Sequence, residues 1–303
     1  MKVLLTGCSG FVGAQVARRL LDEGHQVRAS YLPGDNLSRI ADILDRMERR
    51  EGDLFHATDD DLARLCEGVD ACLHLAWFVI PGKYLPAPEN LDCVKGSVRL
   101  FAALGQAGCR RIASVGTCFE YDFSYGYLSE STPTSADSLY AAAKTATLLM
   151  GEQVARLHDI GFAWPRLFYL YGPGEDPRRL VPHVINSLLR GEPAAVTSGR
   201  QVRDFMHVED VAGGLVAALL SDLTGPVNVG SGEPVTVRQI VATIAGILGR
   251  PDLVQFGARP DNPTDPPFIV ANNQKLLSTG WRPRYDLESG LGHAIGWWRA
   301  QAG

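Results

Sequence analysis

The sequence of 303 residues lacks several features that would assign it to a class at once. Its six cysteines include no Cys-x-x-Cys pair and no metal-ligand spacing, which argues against a metal or redox centre. No apolar run approaches the ~20 residues needed to span a bilayer. The net charge of −5 gives no overall positive field that would attract nucleic acid. We therefore expect no metal, no membrane and no nucleic-acid partner. Because no signal-peptide pattern opens the chain, we also expect a cytoplasmic protein.

A glycine-rich turn stands at the start of the chain, in MKVLLTGCSGFVG. The apolar run Lys2–Thr6 predicts a buried parallel strand, and residues 14–21 predict a helix. Between them, Gly7, Gly10 and Gly13 recur at a spacing of three. This spacing permits a tight turn, the close approach of a pyrophosphate and close packing of helix on strand. Because the helix N-terminus offers free N–H groups to an anion, we predict a dinucleotide-binding turn.

Apolar segments alternate with helical ones along most of the chain, which predicts an α/β, Rossmann-like fold with a doubly wound parallel sheet. We predict a dinucleotide-binding domain over residues 1–165 plus about 205–230. A smaller C-terminal substrate-binding lobe is predicted over residues 166–204 and 231–303. The predicted strands are Lys2–Thr6, Gln26–Tyr31, a third short unit closing at 50–54, then 70–76, 111–115, 162–170 and 226–229. The predicted helices are 14–21, Asp59–Cys66, 91–105 and 139–150.

The end of the second predicted strand bears on which dinucleotide binds. An acidic residue there would hold the adenosine ribose hydroxyls and repel a 2′-phosphate. The strand ends Ala29-Ser30-Tyr31, without an acid, which favours NADP(H) and leaves NAD(H) as the alternative. Asp35 lies a few residues later and is either another ribose ligand or a turn residue. In the fourth predicted strand, His74 lies in an apolar run and is interpreted as a core histidine.

A threonine, a tyrosine and a lysine form the candidate catalytic set. Thr117 follows the fifth predicted strand, and Tyr140 and Lys144 share the predicted helix 139–150. Their i,i+4 spacing puts phenol and ammonium on one helix face. We expect the ammonium, with an oxidised nicotinamide, to lower the phenol pKa from its usual value of about 10. Tyr140 would then exchange a proton with a hydroxyl or ketone, while Thr117 orients the same oxygen.

These motifs together resemble the extended short-chain dehydrogenase/reductase family, specifically its branch of nucleotide-sugar epimerases, dehydratases and reductases. The resemblance covers nearly the whole chain and includes the sequences TGCSGFVG, GDL, HLA, YGPG, RDFMHV and NVGSG. It implies a nucleotide-diphosphate sugar as substrate. It also implies a homodimer in which helices 91–105 and 139–150 of two subunits form a four-helix bundle.

The resemblance also implies which residues bind. The cofactor would contact Gly7, Ser9, Gly10, Phe11, Val12, Gly13, Asp53, Leu54, Leu75, Ala76, Tyr140, Lys144 and Phe168, with Asp53 and Leu54 near the adenine and Phe168 beside the nicotinamide. The substrate would contact Thr117, Tyr169, His183, Arg203 and Arg259. Arg203 and Arg259 match the family's arginines for the diphosphate, because guanidinium groups suit bidentate phosphate contacts.

Four positions depart from the family's pattern. Cys93 and Tyr169 stand where asparagines are usual. Cys118-Phe119 follows Thr117, where the 4,6-dehydratases carry Asp-Glu and the decarboxylases carry an acid at the second position. The usual acid and base for water elimination are therefore missing. Glu120 comes one position too late, and the sequence indicates no role for it.

We therefore expect an NAD(P)-dependent nucleotide-sugar oxidoreductase. The favoured reaction is reduction of the C4 ketone of an NDP-4-keto-6-deoxyhexose by NADPH, because the second strand lacks an acid. One alternative is an NDP-sugar 4-epimerase with tightly bound NAD. The other is a non-catalytic dinucleotide-binding protein on the same fold, against which the intact Thr117, Tyr140 and Lys144 argue.

Overall fold

Strands and helices alternate along the chain from its first residues, and the computed structural model of the protein describes residues 1–302. The strands are β1 (Lys2–Thr6), β2 (Gln26–Tyr31), β3 (Glu48–Glu51), β4 (Ala71–His74), β5 (Arg111–Ser114), β6 (Gly116–Thr117), β7 (Tyr127–Leu128), β8 (Gly161–Leu167), β9 (Tyr169–Tyr171), β10 (Ala194–Val196), β11 (Val202–His207), β12 (Gly225–Val229), β13 (Pro234–Thr236), β14 (Val254–Phe256) and β15 (Phe268–Ala271). The helices are α1 (Phe11–Asp22), α2 (Asp59–Cys66), α3 (Glu89–Gln106), α4 (Leu139–His158), α5 (Leu180–Leu189), α6 (Val208–Leu220), α7 (Val237–Leu248), α8 (Gln274–Leu277) and α9 (Leu287–Ala302).

The main sheet is parallel throughout, with the strand order β3-β2-β1-β4-β5-β8-β12 and with β6 also paired to β8. This confirms the predicted doubly wound α/β fold. Alternate residues of β1 face opposite sides of the sheet. Val3 and Leu5 enter an apolar cluster with α1 and α6, whereas Leu4 enters a cluster with α2, α3 and α4. Helices therefore cover both faces, as a parallel sheet requires.

A second sheet comes mainly from the later part of the chain, with the order β13-β11-β15-β7 and with β9 also paired to β11. The helices α5, α7 and α9 share a separate apolar cluster. Asp204 of β11 is fully buried and accepts hydrogen bonds from the backbone N–H groups of Ser231 (2.6 Å), Gly232 (2.9 Å) and Ala271 (3.1 Å). Because Ser231 and Gly232 follow β12 closely, this carboxylate ties the end of the main sheet to the second sheet.

The predicted strand 162–170 is wrong as a single element. The chain leaves the main sheet after Leu167, and Tyr169–Tyr171 pairs with β11 in the second sheet. Both segments are apolar, so their periodicity does not mark the change of sheet. The cavity described below lies beside this change of sheet, which places Phe168 and Tyr169 in its wall.

Three predicted helices are longer in the structure, α3 by three residues and α1 and α4 by more. Helix α1 begins at Phe11 rather than residue 14, with Gly10 as its N-cap, so Gly13 lies in its first turn. Helix α4 continues through Gly151 to His158. An added Cβ at Gly151 would lie 2.5 Å from the Phe162 ring, so this glycine permits packing and does not end the helix. Within residues 1–302, no helix combines the length and the apolar character needed to cross a bilayer.

The glycine turn yields a stability prediction. A Cβ added at Gly13 would lie 2.0 Å from the Gly7 carbonyl oxygen and 2.9 Å from Cys8 Cα, both of which are backbone atoms. A Cβ at Gly10 would lie no closer than 3.3 Å to any atom. We expect Gly13→Ala to lower the free energy of unfolding by about 1–3 kcal/mol or more, because α1 must move away from β1. Gly10→Ala should stay close to the parent in urea unfolding. Equal midpoints for the two variants would show that α1 is not packed this tightly.

Candidate active site

A cavity of about 720 Å³ opens at the carboxyl ends of the parallel strands. Its wall combines the glycine turn after β1, the ends of β4, β5 and β8, one face of α4, and residues from the second sheet. Most of the predicted site residues line it: Gly7, Gly10, Phe11, Val12, Gly13, Leu75, Thr117, Tyr140, Lys144, Phe168, Tyr169, His183, Arg203 and Arg259. Residues from distant parts of the sequence therefore meet in one enclosed space.

Four predicted cofactor residues do not contribute to this wall: Ser9, Asp53, Leu54 and Ala76. The Ser9 hydroxyl donates to Asp35 Oδ2 over 2.7 Å. Asp53 is exposed and lies 2.7 Å from His56 Nδ1, whereas Leu54 is buried in the core. The Ala76 N–H donates to the Thr6 hydroxyl over 3.2 Å. The cofactor roles of these four residues stay predictions.

The glycine turn has the geometry of an anion cradle. Gly7 has a φ of +71°, and an added Cβ there would lie 2.8 Å from Ala76 N, so only glycine fits. The Gly7 N–H is bound to Ser30 O over 3.1 Å, which fixes the turn against the end of β2. Because α1 begins directly after Gly10, its free N–H groups face the cavity. These residues fit the pyrophosphate of a dinucleotide.

The turn after β2 shows which groups hold Asp35. Asp35 is a turn residue whose Oδ2 accepts from Leu32 N over 3.1 Å as well as from Ser9. Arg39, which sequence reasoning missed, lines the cavity, and its Nε donates to Gly174 O over 3.0 Å. No spacing signal marks Arg39, because its place depends on a partner 135 residues away.

The candidate catalytic side chains are all buried: Thr117 is 6%, Tyr140 8% and Lys144 4% exposed. Lys144 Nζ donates to Val115 O over 2.7 Å and lies 3.6 Å from the centre of the Trp77 ring. It is 5.9 Å from the centre of the Tyr140 ring. Burial lowers the pKa of Lys144 to about 7, against the opposing attraction of Glu120.

Lys144 alone does not lower the Tyr140 pKa in this structure, and the lowering predicted with an oxidised nicotinamide stays a prediction. Burial of the phenol raises its pKa, and hydrogen bonding with Thr117 opposes this only in part. The ammonium points towards Val115 and Trp77, and the Tyr140 ring packs edge-on against Tyr84 with centroids 4.9 Å apart. Tyr140 is therefore a neutral phenol at pH 7, the form that donates a proton.

The far wall of the cavity carries the predicted substrate residues. Arg203 is 3% exposed, pairs with Asp265 Oδ1 at 2.5 Å and lies 5.4 Å from the centre of the Tyr169 ring. Arg259 Nη2 lies 3.2 Å from His183 Nε2, so His183 accepts this hydrogen bond in its neutral form. Burial and the charge of Arg259 lower the pKa of His183, which favours that form. Both arginines line the same cavity as Thr117.

Comparison with known proteins identifies the family. The family model described as the NAD dependent epimerase/dehydratase family matches residues 3–230. The chain belongs to this family. The CDP-abequose synthase of Salmonella typhimurium is 30% identical over 297 residues, with 95% of each chain covered. The UDP-glucose 4-epimerase of Mycolicibacterium smegmatis is 28% identical over 327 residues, with 99% of each covered. The solved structure of MoeE5 in complex with UDP-glucose and NAD is 29% identical, with a TM-score of 0.84 and both chains covered in full.

Two departures from the epimerase/dehydratase family's usual residues are apolar in character. Cys93 and Cys118 are buried, and burial raises the pKa of both thiols, so neither is a thiolate at neutral pH. The prediction that His74 is a core histidine is confirmed. It is 2% exposed, with Nδ1 2.7 Å from the Thr6 hydroxyl and Nε2 2.8 Å from the Ser97 hydroxyl.

A cluster of potential metal ligands, which the sequence spacing did not indicate, lies outside the cavity wall. It consists of His207, Glu209 and His293, whose ligand atoms lie within 4.8 Å of one another. The Glu209 N–H donates to His207 Nδ1 over 3.3 Å, so neutral His207 carries its proton on Nε2. That nitrogen faces His293 Nδ1 at 3.2 Å. The geometry is that of a hydrogen-bonded histidine pair, because Nε2 has no free lone pair for a metal.

Glu120 has a clear structural role, although the sequence indicated none. It is fully buried, and its Oε1 accepts from the Thr117 N–H over 2.8 Å. Its Oε2 accepts from Arg166 Nε over 2.8 Å, and Trp164 Nε1 donates to the same carboxylate over 3.0 Å. Glu120 therefore fixes the backbone of Thr117 and neutralises the buried charge of Arg166. Sequence reasoning had no signal for this pair, because its members are 46 residues apart.

Substitution of Glu120 should therefore destabilise the fold. We expect Glu120→Gln to lower the free energy of unfolding by about 3 kcal/mol, because Arg166 would be left buried without a counter-charge. The matched control is Glu192→Gln, which breaks the exposed 2.8 Å pair between Glu192 and Arg190. Urea unfolding of the three proteins measures the difference. If Glu120→Gln unfolds at the same urea concentration as the control and the parent, the buried pair of Glu120 and Arg166 stabilises the fold no more than an exposed pair does.

Proposed function

We propose that this protein reduces the C4 ketone of a nucleotide-linked 4-keto-6-deoxyhexose with NADPH. The observation that carries the proposal is the meeting of Thr117, Tyr140 and Lys144 with the glycine turn and two arginines in one buried cavity. The similarity to a CDP-abequose synthase supports a nucleotide-linked deoxysugar as substrate. The similarity to MoeE5, solved with UDP-glucose and NAD, supports a nucleotide sugar and a nicotinamide dinucleotide.

In this proposal, side chains of the protein donate the proton, orient the oxygen that receives it and stabilise the phenolate that remains. Tyr140, neutral because burial raises its pKa, donates its proton to the developing C4 oxygen. Thr117, held by Glu120, orients that oxygen by a hydrogen bond. Lys144 lies 5.9 Å from the phenol ring, and its positive charge stabilises the phenolate left by proton transfer. When bound, the nicotinamide supplies the hydride.

The cofactor is proposed to lie along the glycine turn, with Leu75 and Phe168 on the cavity wall beside it. We favour NADP(H), because β2 ends without an acid and Asp35 is engaged with Ser9. Arg39, on the cavity wall after β2, suits a 2′-phosphate. NAD(H) is the alternative, since MoeE5 was solved with NAD. The further proposed cofactor contacts are Ser9, Phe11, Val12, Asp53, Leu54 and Ala76.

The substrate diphosphate is proposed to lie between Arg203 and Arg259, with Tyr169 and His183 beside it. Asp265 partly neutralises Arg203, so a diphosphate would compete with Asp265 for this guanidinium. In this proposal residues 1–165 with about 205–230 bind the cofactor, and residues 166–204 with 231–303 bind the sugar nucleotide. We also propose a cytoplasmic setting, in keeping with the six cysteines, which are all free thiols.

The second candidate is an NDP-sugar 4-epimerase, which the similarity to the UDP-glucose 4-epimerase of Mycolicibacterium smegmatis favours. An epimerase oxidises and re-reduces the same carbon with no net use of cofactor. The same Thr117, Tyr140 and Lys144 would serve both directions. The two candidates therefore differ in cofactor stoichiometry and share the proton-transfer residues.

Stoichiometry tests the proposal. With a panel of nucleotide-linked 4-keto sugars, we expect the parent protein to oxidise one NADPH for each sugar reduced. The loss of NADPH absorbance measures the cofactor oxidised, and analysis of the sugar measures the product. Tyr140→Phe should lose about 10²- to 10⁴-fold in rate while still binding NADPH, because only the proton donor is removed. Tyr125→Phe, at an exposed tyrosine, is the matched control. Interconversion of 4-hydroxy sugars without added cofactor would overturn the reductase and support the epimerase.

We also propose a homodimer formed through α3 and α4. Large apolar side chains are exposed on these helices: Leu91 is 60%, Leu149 58%, Met150 50% and Leu157 81% exposed. Apolar side chains grouped on a surface in this way favour a self-complementary, two-fold interface.

Light scattering at micromolar concentration should give twice the chain mass of 32.8 kDa. We expect Leu149→Asp to give a monomer, because it buries a charge in the proposed interface. Leu220→Asp, at an exposed leucine on α6, should remain dimeric. A monomeric parent protein would refute the dimer.

A further inference from the structure

Glu175 places a largely buried carboxyl group in the cavity wall. Glu175 follows the Tyr171-Gly172-Pro173-Gly174 segment, lines the cavity and is 8% exposed. Within residues 1–302, its buried Oε2 has no hydrogen-bond partner. A buried ionised group without a partner costs several kcal/mol, so such groups are normally paired. No group among residues 1–302 forms a hydrogen bond with Glu175 Oε2.

Hydrogen bonds hold the backbone on both sides of Glu175. The Glu175 N–H donates to Gly172 O over 3.4 Å, and Gly174 O accepts from Arg39 Nε over 3.0 Å. On the other side, Asp176 is bound by Arg178 through two hydrogen bonds of 2.9 and 2.7 Å. These contacts fix the backbone of Glu175 beside the cavity, which Glu175, the glycine turn and Tyr140 all line.

The charged groups around Glu175 are mixed. Arg179 favours its ionised form and Asp176 opposes it, while burial is the largest effect and raises the pKa of Glu175 to about 8. The Arg179 guanidinium lies 6.0 Å from the centre of the Tyr84 ring, which packs on Tyr140 at 4.9 Å. Arg179, whose charge acts on Glu175, therefore neighbours Tyr84, which packs on the proposed proton donor.

We propose that Glu175 accepts a hydrogen bond from a hydroxyl group of a bound ligand, on either the cofactor ribose or the hexose. A carboxylate accepts a short, strong hydrogen bond from O–H but repels a phosphate, and Arg39, Arg178 and Arg179 on the same wall suit phosphates instead. The hydroxyl would complete the missing pairing of the buried oxygen. Glu175 is then a specificity residue that selects a ligand with a hydroxyl at this point. This inference rests on the proposed function, since it needs a sugar or ribose in the cavity.

A hydroxyl bound to Glu175 would make the affinity for the ligand rise with pH. A hydroxyl donor stabilises the ionised carboxylate, so binding expels the proton that Glu175 holds below pH 8. Affinity for the ligand should therefore rise by up to about tenfold per pH unit on going from about pH 6 to pH 8, and then level off. A phosphate oxygen that accepted a hydrogen bond from neutral, protonated Glu175 would give the opposite slope.

The experiment measures binding directly and has two arms. The first titrates NADPH and NADH by fluorescence from about pH 6 to about pH 9, and the second titrates a nucleotide sugar by calorimetry with cofactor saturating. Glu175→Gln is compared with the parent and with Glu233→Gln, an exposed acid outside the cavity wall. We expect Glu175→Gln to lose the rise with pH in one arm and the control to keep it. Loss in the cofactor arm assigns the hydroxyl to the ribose, and loss in the sugar arm assigns it to the hexose.

The failures of the two proposals are distinguishable. If the parent binds cofactor and nucleotide sugar and Glu175→Gln leaves both pH profiles unchanged, the role of Glu175 is refuted and the proposed function stands. If the parent binds neither ligand, both are refuted. Unfolding without ligand gives a further readout. Because the folded-state pKa is raised to about 8 from 4.5, the parent should lose stability between these pH values relative to Glu175→Gln. Parallel stability profiles would contradict a buried, unpartnered carboxylate.

Discussion

Parallel hydrogen bonding of the main sheet is the constraint on which the site depends. Because every strand of this sheet runs in the same direction, the carboxyl ends of β1, β4, β5 and β8 lie along one edge. The residues that follow them, among them Gly7, Leu75, Thr117 and Phe168, therefore meet there although they are far apart in sequence. A parallel sheet also needs helices on both faces, and α4 is one of them. The start of α4 brings Tyr140 and Lys144 back to the same edge.

Burial sets the electrostatics of this edge more than any single charge. It raises the pKa of Tyr140 and lowers that of Lys144 to about 7, so burial shifts both groups towards their neutral forms and leaves Lys144 partly cationic at neutral pH. Where the chain keeps charges buried, it pairs them, as in Glu120 with Arg166 and Asp265 with Arg203. Glu175 is the contrast, since its Oε2 is buried without a partner among residues 1–302. Buried walls of this kind lower the local dielectric constant, which strengthens the hydrogen bonds that a ligand makes with them.

The sequence predicted what depends on local spacing and missed what depends on distant partners. The glycine turn, the helix spacing of Tyr140 and Lys144 and the parallel fold follow from residues a few positions apart. The contacts of Arg39 with Gly174 and of Glu120 with Arg166 join residues 135 and 46 positions apart, which no periodicity reveals. The effect of Lys144 on Tyr140 likewise depends on more than their spacing, since Lys144 alone does not lower the Tyr140 pKa. Spacing places an ammonium on the same helix face, but Val115 and Trp77 determine where it points.

The choice between reductase and epimerase lies in the cofactor-facing residues. Both reactions need a phenol that gives and takes a proton at one carbon, so Tyr140 and Thr117 cannot separate them. A reductase must release its oxidised cofactor after each turnover, whereas an epimerase must retain it. Retention needs strong ribose contacts, yet β2 ends in Ser30-Tyr31 and Asp35, the next acid along the chain, is already bound by Ser9. Under the proposed function, the absence of an acid at the end of β2 would favour exchange of the cofactor, which net reduction requires.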